Sequence, residues 1–125
     1  SGTWTVEERW TSNGLKPYFN DFVVHKGRAF GFDGAILSCI NLEDGKRQWK
    51  GGRYGYGQLL LAEGHLVATT ESGEVALVAA TPAAFTEVAR FQAIAGKTWN
   101  VPAIAGGLLL VRNHSEMACF RLQPK

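Results

Sequence analysis

The side chains best able to do chemistry in this 125-residue chain are three histidines, two cysteines and eleven acidic groups. Their spacing suits none of the usual sites. A metal ion needs several ligands converging on one point, yet His25, His65 and His114 fall at different places relative to an internal repeat. Cys39 and Cys119 would permit one disulfide. They occupy matching positions of different repeats, which argues against pairing and makes them small apolar residues on buried strands. Asp33, Glu43, Asp44, Glu71 and Glu74 sit in predicted turns, where a carboxylate usually caps its own backbone or meets water. No glycine-rich phosphate loop or nucleophile elbow is present. No catalytic residue, no metal ligand and no cofactor is therefore expected. Lys46, Arg47, Lys50 and Arg53 read as a solvated strand and turn rather than a phosphate site.

Composition points to the elements that carry these residues. Fifteen glycines together with seven Phe, four Trp and three Tyr imply many short strands joined by tight turns. Thirteen basic side chains against eleven acidic ones leave a net charge of +2, too balanced for a nucleic-acid or anionic-membrane surface. No run approaches the roughly 18 apolar residues of a membrane helix. The opening Ser1-Gly2-Thr3-Trp4 has neither the charged nor the apolar region of a signal peptide.

Three segments align on Gly27, Gly64 and Gly107, each reading apolar strand, glycine turn, apolar strand, polar turn, apolar strand. Trp10, Trp49 and Phe91, preceding Gly14, Gly52 and Gly96, keep a similar period. A repeat of about 40 residues suits a four-stranded antiparallel propeller blade. The expected strands are 22–25, 28–32, 36–42 and 47–50 in blade one (22–57). Blade two (58–100) takes 59–62, 65–70, 75–79 and 87–91. Blade three (101–125) takes 103–105, 108–112 and 117–122. A short helical turn is expected at 82–85, where proline suits a first helical position. Blade three lacks a fourth strand, and 5–10 supplies a spare one. An open apolar edge is an aggregation liability, so the spare strand is expected to complete the last blade of a second copy, two chains closing a six-bladed homodimeric ring. The whole 1–125 span is then one all-β propeller segment.

In such a ring the connections into each blade and the second-to-third turns share one face. That face gathers Tyr18, Phe19, Asn20 and Asp21, then Arg53, Tyr54 and Tyr56, then Thr98, Trp99 and Asn100. Aromatics mixed with Arg and Asn are enriched at recognition surfaces. The candidate ligand-binding residues are Tyr18, Asn20, Arg53, Tyr54, Trp99 and Asn100, with Arg112 at a strand end beside them. The aromatics also serve as blade-to-blade packing in an alternative reading, Tyr18 and Trp99 above all.

The stretch Cys39-Ile40-Asn41-Leu42-Glu43-Asp44-Gly45-Lys46-Arg47-Gln48-Trp49 resembles the propeller repeat of pyrroloquinoline-quinone enzymes, roughly Ala-x-Asp-x-x-Thr-Gly-x-x-x-Trp. Gly45 and Trp49 match in register, Asn41 and Asp44 replace the usual Asp and Thr, and Cys39 takes the alanine slot. In that family the tryptophan docks between neighbouring blades against the turn, a role the resemblance gives to Trp49. In the second repeat Ala76 and Phe91 stand at the alanine and tryptophan places. Trp10 would fill the place in the third if the N-terminal strand closes it. The closest members by resemblance are non-catalytic exported bacterial repeat proteins, which implies a periplasmic or extracellular setting. The quinone enzymes of the family need a full ring, a calcium held by carboxylates and a catalytic aspartate, and the acidic residues here do not cluster to provide them. The function expected is a non-catalytic scaffold that binds a protein, peptide or glycan partner. The alternatives are a fragment of a quinone-dependent oxidoreductase or other exported enzyme, and a purely architectural or engineered half-ring.

Overall fold

The computed structural model describes residues 2–123, so Ser1 and the last two positions of the expected 101–125 unit lie outside the described residues. Eleven strands form three antiparallel sheets in chain order. The first holds β1 (Val23–His25), β2 (Arg28–Asp33), β3 (Ile36–Asn41) and β4 (Arg47–Arg53). The second holds β5 (Gln58–Ala62), β6 (His65–Thr69), β7 (Glu74–Ala79) and β8 (Glu87–Gln92). The third has β9 (Ala103–Ala105), β10 (Leu108–Arg112) and β11 (Met117–Arg121). Eleven of the twelve expected strands are present, with ends shifted by at most three residues, and the spare strand at 5–10 is absent.

Each sheet begins with the same device. Lys26-Gly27, Glu63-Gly64 and Gly106-Gly107 all take positive φ at both positions. Two consecutive left-handed residues make the hairpin turn whose twist matches that of the strands it joins. Alternation along the strands then sorts side chains to two faces. Phe30, Phe32, Leu37, Cys39 and Trp49 of the first sheet pack against Leu66, Ala68, Ala76 and Val78 of the second. On its other face the second sheet sends Val67 and Val75 against Leu109 and Val111 of the third. The sheets are thus stacked face to face by two apolar layers.

Several local expectations are corrected. No helical turn forms at 82–85; Thr81 Oγ1 accepts from the Ala83 amide, and the chain stays irregular so that Phe85 can turn in against Trp49 at 5.6 Å. Residues 5–10 belong to no strand, since none of the three sheets among the described residues pairs with them. Phe91 does not hold the tryptophan place: Trp49 pairs across from Cys39, whereas Ala89 pairs across from Leu77 and Phe91 from Val75. The matching position to Cys39 is likewise Leu77, not Ala76. The β6–β7 turn is one residue longer, since Thr69 pairs with Val75 while Phe32 pairs with Leu37 and Arg112 with Met117.

The tryptophans themselves repeat. Trp49 Nε1 donates to the Thr81 carbonyl at 2.7 Å, and Trp10 Nε1 donates to the Leu42 carbonyl at 2.6 Å; 32 residues separate donor and acceptor in both. Residues around Trp10 therefore stand to the first sheet as β4 stands to the second, although residues 2–9 are exposed.

Candidate functional site

Three connecting segments lead into the sheets, and main-chain hydrogen bonds tie them to the turns between second and third strands. The Lys16 amide donates to the Phe32 carbonyl, the Glu71 amide to Tyr54 and the Thr98 amide to Glu71. The segments are also tied to one another, Asn20 Nδ2 donating to the Gly57 carbonyl and Gln58 Nε2 to the Trp99 carbonyl. Asn113 adds a similar clamp, its Nδ2 donating to the Ala95 carbonyl while its Oδ1 caps its own turn.

These ties bring an aromatic patch together. Phe19, Tyr56 and Trp99 each stand eight residues before the turn glycine of their repeat, Gly27, Gly64 or Gly107. Their rings converge, with Phe19 5.9 Å from Tyr56 and 6.1 Å from Trp99. Tyr18 adds a fourth ring, 5.9 Å from Phe19 and 5.4 Å from Tyr56. All four remain open to solvent, Tyr18 at 78% and Trp99 at 46% exposure. Trp99 is also held in place: its Nε1 donates to Glu71 Oε2 at 2.7 Å and Lys97 Nζ lies 4.8 Å from the ring centroid. A ring fixed by an ion on each side has little rotamer freedom left to lose when something stacks on it. Beside the patch an open cleft of about 520 Å³ runs between Arg53, Thr70, Glu71, Ser72, Glu74, Arg90 and Lys97.

The expected binding residues divide. Tyr18, Trp99 and the half-buried Asn100 belong to the lead-in segments of the patch, and Arg53 lines the cleft. Asn20, 5% exposed, and Tyr54, 2% exposed, face inward and position the segments instead. Tyr54 donates its hydroxyl to Glu87 at 2.7 Å, and burial together with that carboxylate pushes its ionisation well above the usual tyrosine range. Burial pushes the Glu87 carboxyl up, but the Tyr54 hydroxyl and the Arg90 guanidinium outweigh it and hold the group low. Arg112 ends β10 on the outward face of the third sheet, paired across from Met117, and does not join the patch. Lys97 and Glu71 carry the cation and the anchor for Trp99. The sequence signal that could have found them is their place in the segment and turn that meet there.

A second charged group sits on the first sheet. Asp33, almost wholly buried, receives Arg47 Nη2 at 2.7 Å and Lys50 Nζ at 2.8 Å on one oxygen, with Lys16 Nζ 3.6 Å from the other. The Lys50 hydrogen bond, against the cost of burial and with help from Lys16 and Arg47, holds its carboxyl below the usual range. Two of the four basic residues read as solvated are therefore partners of a buried carboxylate. Cys39 is fully buried, which pushes its thiol up to about 11, while Cys119 is exposed. Among the described residues no three His, Cys, Asp or Glu side chains gather as a metal site would require, and no helix is long and apolar enough to cross a membrane.

No family model and no curated relative matches this chain. Among solved structures it is similar to the computationally designed Ika8 protein, with TM-score 0.63 and 6% identity over 81% of this chain. That match covers 32% of Ika8, so the chain spans about a third of its length. It also aligns with the computationally designed Ika4 protein at 8% identity and TM-score 0.45, over 95% of this chain and all of that one. The likeness to Ika8 is one of fold, and this chain shares the arrangement of antiparallel β-sheets with it.

Proposed function

We propose that this chain is a non-catalytic scaffold of β-propeller type that recognises a peptide, protein or glycan through its aromatic patch, and that two copies close a six-bladed ring. The observation that carries the recognition reading is the placement of one aromatic per repeat, Phe19, Tyr56 and Trp99, at a single exposed point. The rings pack on one another yet leave 38–78% of their surface exposed, and a stacked partner would bury that remainder. Arg53, Lys97 and Asn100 add donors around the rings that would orient a polar ligand.

The propeller reading draws on the repeat of about 40 residues, on Trp49 and Trp10 docking against the next sheet's turn, and on the motif resembling the quinone-enzyme repeat. Radial blades also explain why the three lead-in segments converge while their sheets stack. The match of most of this chain to a minor part of Ika8 agrees with a segment of a larger array.

Peptide and glycan arrays would identify ligands, followed by titration of the best one against Trp99→Ala and Tyr18→Ala variants. Each substitution should weaken binding about tenfold, the equivalent of ~1.4 kcal/mol for one aromatic anchor. Equal affinity of both variants and the unaltered protein would overturn the reading, as would stoichiometric uptake of calcium and quinone.

A further inference from the structure

The third sheet ends on an edge that its two predecessors do not have. β3 and β7 are each flanked on both sides, whereas β11 pairs only with β10 among the described residues. Its outward face differs as well: Cys39 in β3 is fully buried against the second sheet, and Cys119, at the matching place across from Leu110 as Cys39 is across from Phe30, is exposed. Met117, matching the fully buried Leu37, is 65% exposed. The outward face of the third sheet thus repeats much of the first sheet's packed face, with Arg112 in the place of Phe32, and leaves Met117 and Cys119 exposed among the described residues.

The same chain carries a segment placed like a fourth strand with no third strand beside it. Trp10 and Ser12 hold residues 10–14 on the first sheet through the carbonyls of Leu42 and Gly45. Gly45 leaves no room beyond this, since a Cβ there would lie 2.7 Å from the Trp10 ring. Trp49 and Gly51, one repeat later, lie at the corresponding places against Thr81 and Phe85. In β4 those residues also pair with β3, Trp49 across from Cys39 and Gly51 across from Leu37.

We propose that β11 takes the N-terminal segment of a second copy as its fourth strand, in the register that β3 and β4 display. This deepens the ring reading above and rests on it. Trp10 of one chain then lies across from Cys119 of the other, Ser12 across from Met117, and Glu8 across from Phe120 after a one-residue bulge like that between Cys39 and Ile40. The Arg121 amide meets the Glu7 carbonyl, as the Asn41 amide meets Lys46. Glu7 and Glu8 come beside Arg121, opposite charges at a partly exposed edge. Added main-chain hydrogen bonds supply affinity, and the indole in its dock fixes the register. Trp10 is then shared, hydrogen-bonded to its own first sheet and covering the partner's third.

The test uses two full-length chains in a Cys119→Ser background, one bearing Ser12→Cys and the other Met117→Cys. Met117 is 65% exposed, and Ser12→Cys exchanges one atom at a half-buried position, with Trp10 still docked on the Leu42 carbonyl to hold the segment. Mixed and mildly oxidised, they should give a disulfide-linked species of two chains that neither gives alone, while a control pairing of Ser12→Cys with Arg121→Cys stays uncoupled. A dimer by mass in which the control pair couples instead overturns this register and leaves the ring reading standing. A folded monomer with no coupling of either pair overturns both.

Discussion

Replacing Trp49 by phenylalanine tests the repeat at its most specific joint. The indole is 8% exposed, lies 6.0 Å from the Phe30 ring and 5.6 Å from the Phe85 ring, and donates to the Thr81 carbonyl at 2.7 Å. Loss of the hydrogen bond costs about 1 kcal/mol. Shrinking the ring system leaves a void among buried aromatics, and since full truncation of such a ring costs about 3–5 kcal/mol, the partial loss adds about 1–2 kcal/mol. The sum, ~2–3 kcal/mol, corresponds to a fall of roughly 10 °C in Tm for a chain of this size. Thermal and urea unfolding by circular dichroism measure it, with Phe85→Leu as the second arm of a double-mutant cycle; residues in contact should couple by at least ~0.5 kcal/mol. Trp10→Phe removes the same bond from a segment outside the sheets, so its effect acts through association and depends on protein concentration. A Trp49→Phe cost below ~0.5 kcal/mol, or one that varies with concentration as Trp10→Phe does, would refute the reasoning.

Other outcomes follow from the same contacts. Asp33→Asn should cost about 1 kcal/mol at neutral pH, discounted because its three cationic partners are a third or more exposed. The Asp33 carboxyl titrates lower when folded than when unfolded, so its contribution is present above the unfolded value of about 3.9 and is lost as pH falls through the folded one. Urea midpoints of the two proteins should therefore converge under strong acid, and a constant difference would contradict the pairing. Gly73→Ala should destabilise by ~2 kcal/mol or more, because φ is +87° and an added Cβ would clash with the Ile94 carbonyl. Gly64→Ala, with φ +73° in open space, should cost only about 1 kcal/mol; equal losses would contradict the packing at Gly73. A thiol reagent should spare Cys39 in the folded protein and modify Cys119 more slowly as protein concentration rises, since association covers it. A Cys119 rate independent of concentration would argue against the proposed interface.

Strand positions were legible because alternation, β-branched residues and paired turn residues report on local backbone, and the Lys26-Gly27 and Glu63-Gly64 turns fix register from within the chain. What sequence could not carry was parity beyond a bulge. Both fourth strands shift against the third, between Cys39 and Ile40 and between Leu77 and Val78. The β7–β8 connection is also two residues longer, Val78 pairing with Glu87 where Ile40 pairs with Arg47, so the place matching Trp49 falls at Ala89 and not at Phe91. Direction of side chains in irregular segments was equally hidden. Asn20 and Tyr54 look like surface recognition residues by type, yet each finds a partner inward, at Gly57 and Glu87, that only the tertiary arrangement brings near. The shared distance of Phe19, Tyr56 and Trp99 from their turn glycines is readable in the sequence, but the convergence of their rings is not. The helical turn expected at 82–85 failed because burying Phe85 against Trp49 and Tyr54 outweighs the weak helical preference of four residues.

Sedimentation equilibrium of the unmodified chain over a range of concentrations bears most directly on the ring. Two copies closed by exchanged N-terminal strands require a species of twice the 13.6 kDa chain mass that dissociates when Trp10 is replaced. A folded protein holding at 13.6 kDa across that range would contradict it.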